Sequence, residues 1–206
     1  MIFYLIRHAK SISNAANEWT GQIDAPLSHQ GIKEQKELAV KFAYPKGDLY
    51  FSSPLSRSID TLKIIYGHGP DIILPELSEC SLGILEGMKY DNLDTDVEYL
   101  SWMNEPDVPV QGGESFNEFK ERSEKSFEMM ARLAIEKKYK SVVAVTHGNV
   151  MRAILHRFVD NSVKHNEWLI PNGGVHMLDI KEGSEKADSY KKMPPFLFEE
   201  FERSLR

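Results

Sequence analysis

Apolar residues along this chain fall into short runs that alternate with longer stretches in which they recur every three or four positions. Ile2 to Ile6 is a compact run of branched and aromatic residues, which predicts a buried strand. A polar loop follows, and then Ile32, Leu38, Ala39 and Phe42 line one side of a helix running from about Ser28 to Ala43. Leu49 to Ser52 predicts a second strand. Behind it, Ser53 and Pro54 read as an N-cap and a first helical residue, opening a helix that reaches about Tyr66. Ile72 to Leu74 predicts a short third strand. Ser115 and Glu118 form a capping box, and Phe116, Phe119, Phe127, Met130 and Ala134 recur as the seam of a long helix. Val142 to Thr146 is the clearest buried strand, followed by a helix from Asn149 to Val159. A last strand from Val175 to Ile180 follows the turn formers Pro171, Asn172, Gly173 and Gly174.

Strands that alternate with helices indicate parallel strands joined by helical crossovers. The expected fold is therefore of the α/β class, a three-layer α/β/α sandwich around a mostly parallel central sheet, with one domain spanning 1–206. In open sheets of this kind ligands bind outside the carboxyl ends of the strands. Arg7 and His8 follow the first strand directly. His147 and Gly148 follow the strand ending at Thr146, with a helix N-terminus just beyond, and Arg57 lies in the first turns of the helix after the second strand. Three strand ends thus bring two arginines and two histidines to one rim.

Charge and cysteine usage narrow what that rim serves. With 25 Lys+Arg against 31 Asp+Glu, a net charge of −6 disfavours a nucleic-acid surface, so an anionic ligand has to be caught locally. The single cysteine, Cys80, excludes an internal disulfide framework and suits a reducing compartment, with the cytoplasm as the expectation. No apolar run approaches the ~18 residues of a membrane span, and the N-terminus lacks the pattern of a signal peptide, so no membrane partner is expected. His29, His68, His156, His165 and His176 show no metal-site spacing and read as surface or packing residues, so no metal is expected.

The segments that carry these residues resemble the histidine phosphatase superfamily, which also contains the cofactor-dependent phosphoglycerate mutases. "LIRHAKSISN" is similar to its N-terminal Arg-His motif, with Asn14 at the family's asparagine, and "GQIDAPLSHQGIKEQ" to its next segment. "FSSPLSRSIDT" carries the second arginine as Arg57, "ELSECSLGILEG" the acid as Glu79, and "GGES" with "VVAVTHGNVMRAI" the second histidine as His147. The match runs in order from about residue 2 to about 180. One departure is Ala9, where the family most often has glycine; a positive φ there would cost about 1 kcal/mol.

The resemblance implies a phosphoglycerate mutase-like fold and a covalent, metal-free phosphoryl transfer with no cofactor. His8 attacks phosphorus and forms a phosphohistidine that water later hydrolyses. Arg7 and Arg57 hold the phosphate oxygens, and their charges disfavour protonation of His8, which keeps the nucleophile ready. His147 supplies a further donor to the oxygens and is the group expected to be protonated when phosphate is bound. Glu79 protonates the leaving oxygen and then takes a proton from water. Glu76, Glu86, Glu18 and Asp24 are the competing carboxylates. Asn14 and Gly21 are candidates for an amide and a backbone N–H at the phosphate pocket, with Thr20 and Gly148 beside them.

Between hydrolysis and phosphoryl relocation, the segment 88–113 decides the expectation. A mutase grips a second anionic group, whereas this insertion holds Lys89 and no arginine against Asp91, Asp94, Asp96, Glu98, Glu105 and Asp107. It offers Tyr90, Tyr99, Leu100, Trp102 and Met103, which read as an apolar lid over an organic leaving group. The chain therefore resembles the broad-specificity and alpha-ribazole phosphatases, acting on a small phosphorylated metabolite as a monomer or homodimer. A phosphoglycerate mutase, and a phosphohistidine protein phosphatase with a more open pocket, are the alternatives. The tail from Lys191 to Arg206, with Pro194, Pro195, Phe196, Phe198 and Phe201, predicts a docked terminal helix or a partner contact.

Overall fold

A computed structural model of the chain describes residues 1–89, 97–181 and 183–193. Its central sheet is formed by β1 (Ile2–Arg7), β2 (Leu49–Ser52), β3 (Ile72–Ile73), β4 (Ser141–Thr146), β5 (Val175–Asp179) and β6 (Ser189–Met193), in the order β3-β2-β4-β1-β5-β6. β1, β2, β3 and β4 are mutually parallel, with Leu5 opposite Ala144 and Arg7 opposite Thr146. The mostly parallel α/β sandwich read from the sequence is the observed fold.

Side chains alternate across the sheet and build one core on each face. Phe3, Leu5, Phe51 and Ala144 pack with α5 (Phe116–Glu136) and α6 (Gly148–Phe158), where Phe3 meets Phe127 at 4.6 Å between ring centroids. Ile6, Val143 and Val145 point the other way, onto Leu38 and Ala39 of α2 (His29–Lys41) and Leu62 and Ile65 of α3 (Ser56–Tyr66). Among the described residues no helix is long and apolar enough to cross a membrane.

Several elements depart from the sequence reading. β5 is antiparallel to β1, and β6, a strand the sequence reading does not predict and whose last three residues fall in the expected tail, is antiparallel to β5. The cause lies in residues 159–174, which return to the rim after α6: Gly174 O accepts from Arg7 N at 3.1 Å, so the chain enters β5 from the end where β1 finishes. Hydrophobic alternation is the same in both directions and does not report polarity. The loop after β1 contains the short α1 (Ile12–Ala16), closed by a capping box between Ser11 and Asn14; a single turn carries no periodicity to read.

Helix α3 begins at Ser56, not at Pro54. Ser53 still follows the sheet, its N–H donating to Val145 O at 3.2 Å, and Leu55 is an N-cap without a side-chain bond. The cap comes instead from a distant loop: Asp24 Oδ1 accepts from both Ser56 N and Ser56 Oγ at 2.7 Å. The lid expectation also changes. Trp102 of α4 (Val97–Asn104) is buried edge-on against Phe116 at 5.1 Å and donates to Glu114 O, so it is core. Tyr90, Asp91, Asp94 and Asp96, the side chains of Glu98, Tyr99 and Met103, and the tail from Pro194 lie outside the described residues.

Candidate active site

His8 is the first residue beyond β1, and its backbone N–H still donates to Thr146 O at 2.9 Å. The residue is 4% exposed, and Nδ1 lies 2.7 Å from Ala9 O. A carbonyl oxygen only accepts, so Nδ1 carries the proton and Nε2 keeps its lone pair. The turn is tied down on both sides. Ala9 N donates to Thr61 Oγ1 at 2.8 Å, Thr61 in turn donates to Arg57 O at 2.6 Å, and Asn172 Nδ2 donates to His8 O at 2.8 Å. Burial, then the charges of Arg57 and Arg7, hold the imidazole well below its usual range and keep it neutral. Among the described residues, the non-glycine residues with positive φ are Asn17 and Lys138, so Ala9 sits without the strain its glycine counterpart suggested.

The two arginines arrive from opposite sides. Arg57, in the first turn of α3, is fully buried, with Nη1 donating to Ile23 O at 2.7 Å and Nη2 to Gly21 O at 2.8 Å. Its Nε has no protein partner among the described residues. Arg7 Nη1 donates to Ile170 O at 2.5 Å, on the loop that returns to the rim. An α-helix can hide a guanidinium this way only where loop carbonyls replace its water, and the loop 20–25 provides them.

His147 is the N-cap of α6, with its ring centroid 5.0 Å from that of His8 and the planes 58° apart. Its Nε2 lies 2.7 Å from Ser53 Oγ and 3.4 Å from Ser58 Oγ, while Nδ1 has no hydrogen-bond partner among the described residues. This explains why Ser53 does not cap α3. Burial first, then Arg57, His8 and Arg7, hold His147 well below its usual range. The charged state expected of it with phosphate bound is therefore opposed in the free pocket, where no dianion offsets the arginines.

A cavity of about 240 Å³ at this rim is lined by Arg7, His8, Asn14, Arg57, Glu79 and Gly148, together with Thr20 and Gly21. His147 lies behind this lining. Asn14 Oδ1 accepts from Ser11 N at 3.2 Å, which engages its oxygen and not its amide nitrogen. Gly21, at φ 50°, gives its carbonyl to Arg57. Glu79 reaches in from the loop after β3, its Oε1 accepting from Cys80 N at 2.9 Å and its Oε2 from Asn149 N at 3.4 Å. Two of the competing carboxylates have other tasks. Asp24 caps α3, Glu86 Oε1 accepts from Gln22 N and Leu82 N at 2.9 Å, and Glu18 alone among them lines the cavity.

Three residues at the site escaped the sequence reading. Asn172 sits among turn formers whose composition signals a turn and nothing more, and Ser53 before Pro54 reads as a helix cap. Arg152 lines the cavity from α6, with Nη1 donating to Asn149 Oδ1 at 3.0 Å and Nε to Trp168 O at 3.1 Å. The sequence places no second cation in residues 88–113 beyond Lys89, whereas helical spacing from Gly148 to Arg152 carries the signal.

The family model for the histidine phosphatase superfamily (branch 1) matches residues 3–192. A metal-independent phosphoserine phosphatase of Arabidopsis thaliana is 29% identical over 195 residues, which cover 90% of this chain and 79% of the relative. A 2,3-bisphosphoglycerate-dependent phosphoglycerate mutase of Pseudoalteromonas atlantica is 28% identical over 184 residues, 73% of this chain and 81% of its own. The crystal structure of the alpha-ribazole phosphatase of Shigella flexneri superposes with a TM-score of 0.72 at 24% identity, covering 92% of this chain and 99% of that one.

Proposed function

The chain belongs to the histidine phosphatase superfamily, and from that premise we propose that it hydrolyses a small phosphomonoester through a phosphohistidine on His8, with Glu79 moving the proton. The observation that carries this reading is the hydrogen bond from His8 Nδ1 to Ala9 O, which leaves an unprotonated Nε2 in a cavity shared with Arg7 and Arg57. Nε2 attacks phosphorus, the bond to the leaving oxygen breaks, and the carboxyl of Glu79 gives that oxygen its proton. Water then attacks the phosphohistidine, Glu79 takes a proton from it, and inorganic phosphate departs with His8 neutral again.

Arg7 and Arg57 stabilise the charge on the equatorial oxygens in a site largely shielded from water, where such contacts are strong. Asn14, Thr20, Gly21 and Gly148 complete the wall around the phosphate. His147, its Nδ1 unengaged among the described residues, donates to an oxygen and gains a proton as the dianion binds. The protein is read as one cytoplasmic domain over 1–206, with the segment 88–113 as an insertion. Turnover of p-nitrophenyl phosphate in EDTA tests the reading. Activity is expected in the intact protein and absent in His8→Ala; activity that survives the substitution, or that requires added metal, overturns it.

A second reading has one observation in its favour. Arg152 gives the cavity a third guanidinium besides Arg7 and Arg57, and a mutase needs such a group for the second anion of its substrate. Incubation with 3-phosphoglycerate and its bisphosphate separates the two: formation of 2-phosphoglycerate supports the mutase, release of inorganic phosphate alone the phosphatase.

A further inference from the structure

We propose that Arg122, in the second turn of α5, is a positioning residue for Glu79; this rests on the reading of Glu79 as the proton donor. Glu79 stands on a strap, residues 76–81, that belongs to neither a helix nor a strand over most of its length. What fixes it is a set of side chains reaching across from the core. Arg122 Nη1 donates to Glu76 O and to Ser78 O, each at 2.8 Å, and Nη2 donates to Glu79 O at 3.2 Å. On the opposite edge, Nε donates to Glu114 Oε2 at 3.1 Å and Nη2 to Glu114 Oε1 at 2.6 Å. A guanidinium has five N–H donors, and all five are engaged here.

Glu114 closes the arrangement. Its Oε1 also accepts from Ser81 N at 2.8 Å, and its own N–H donates to Ser81 O at 3.0 Å. Thr146 Oγ1 takes the remaining carbonyl, that of Leu77, at 2.7 Å. Every carbonyl from residue 76 to residue 79 is thus held by a side chain of α5 or β4. The guanidinium itself lies against the ring of Phe119, 5.5 Å from its centroid. Lysine, with one compact nitrogen and no fork, reaches only part of this set.

The chemistry makes such a hold matter. A proton donor must stand within hydrogen-bond reach of the leaving oxygen, and a displacement of about 1 Å can cost about a hundredfold in rate. An alkoxide leaving group depends on that proton, whereas nitrophenolate scarcely does. A loss confined to the positioning of Glu79 therefore appears on alkyl esters and not on activated aryl esters. General damage to the pocket lowers both alike.

The experiment measures kcat/KM, which reports the steps through transfer to His8, for p-nitrophenyl phosphate and for glycerol phosphate. It compares the intact protein with Glu79→Gln, Arg122→Met, Arg122→Lys and the Glu79→Gln/Arg122→Met pair. Arg122→Met is expected to lose at least tenfold more on the alkyl than on the aryl ester, Arg122→Lys less, and the pair no more than Glu79→Gln alone on the alkyl ester. Glu114→Gln, which weakens the fork while keeping an oxygen for Ser81 N, carries the same comparison should Arg122→Met fail to fold. Equal losses on both esters in the Arg122 and Glu114 variants, or multiplicative losses in the pair, overturn the proposal. If Glu79→Gln itself loses equally on both esters, the assignment of Glu79 falls, and the proposal falls with it.

Discussion

The imidazoles of His8 and His147 stand 5.0 Å apart between centroids, both buried and both held neutral by desolvation and the two arginines. Two histidinium ions at this distance, beside two guanidiniums, would repel strongly, so both rings stay neutral in the free pocket. The rate should accordingly show no loss from protonation of His8 as pH falls through the ordinary histidine range near 6.5. A pH profile of kcat/KM whose acid limb rises through about 6.5 because of His8, identified by its absence of change in other variants, would contradict this.

Histidine burial also sets a stability slope. His176, on β5, has its Nδ1 2.8 Å from Tyr190 OH and is held at about 3, first by burial and then by Lys192. Below about 6.5 the unfolded chain binds a proton that folded His176 does not, so this contribution is present at high pH and lost as pH falls. Its share is about 1.4 kcal/mol between pH 7.5 and 5.5. Urea titrations at those two values should show a stability drop smaller by about that amount in His176→Gln than in the intact protein.

Asp24 holds the first turn of α3, and that turn carries Arg57. Asp24→Ala is expected to lower stability by about 1–2 kcal/mol through the lost cap. It should also reduce kcat/KM, because Arg57 enters the cavity from the frayed turn. Asp24→Asn, which keeps an acceptor oxygen, should recover most of both; a thermal melt and an aryl phosphate assay on the two variants check it.

Gly21 combines φ 50° with a neighbour that leaves no room: a Cβ there would stand 2.1 Å from Glu86 Oε1. Since Glu86 Oε1 holds both Gln22 N and Leu82 N, Gly21→Ala has to displace the bond that fixes the loop whose carbonyl docks Arg57. A destabilisation of about 1–3 kcal/mol is expected, together with a raised KM for phosphate esters. Retention of both values at the level of the intact protein would show that the loop yields without cost.

Replacing Arg57 by Lys removes the fork while keeping the charge. The two carbonyls of Gly21 and Ile23 then share one ammonium, and the phosphate loses a planar partner. A drop of at least a hundredfold in kcat/KM is expected, measured with p-nitrophenyl phosphate, on the scale of losing one preorganised donor from a shielded site.

Periodicity along the chain was enough to locate β1, β2, β4, α2, α5 and α6, because each buries a face whose spacing is written in its own residues. The rule that ligands gather at strand ends brought Arg7, His8, Arg57 and His147 to one rim, and ordered motifs added Glu79. Direction and partnership were another matter. The polarity of β5, the choice of Asp24 over Ser53 as the cap of α3, and Trp102 as core and not lid all depend on which groups meet from distant segments. The same holds for Arg152 on the cavity wall and Arg122 under the strap. A side chain's type fixes what bonds it is able to make, but which acceptor it finds is decided only when the chain has closed on itself and water has left.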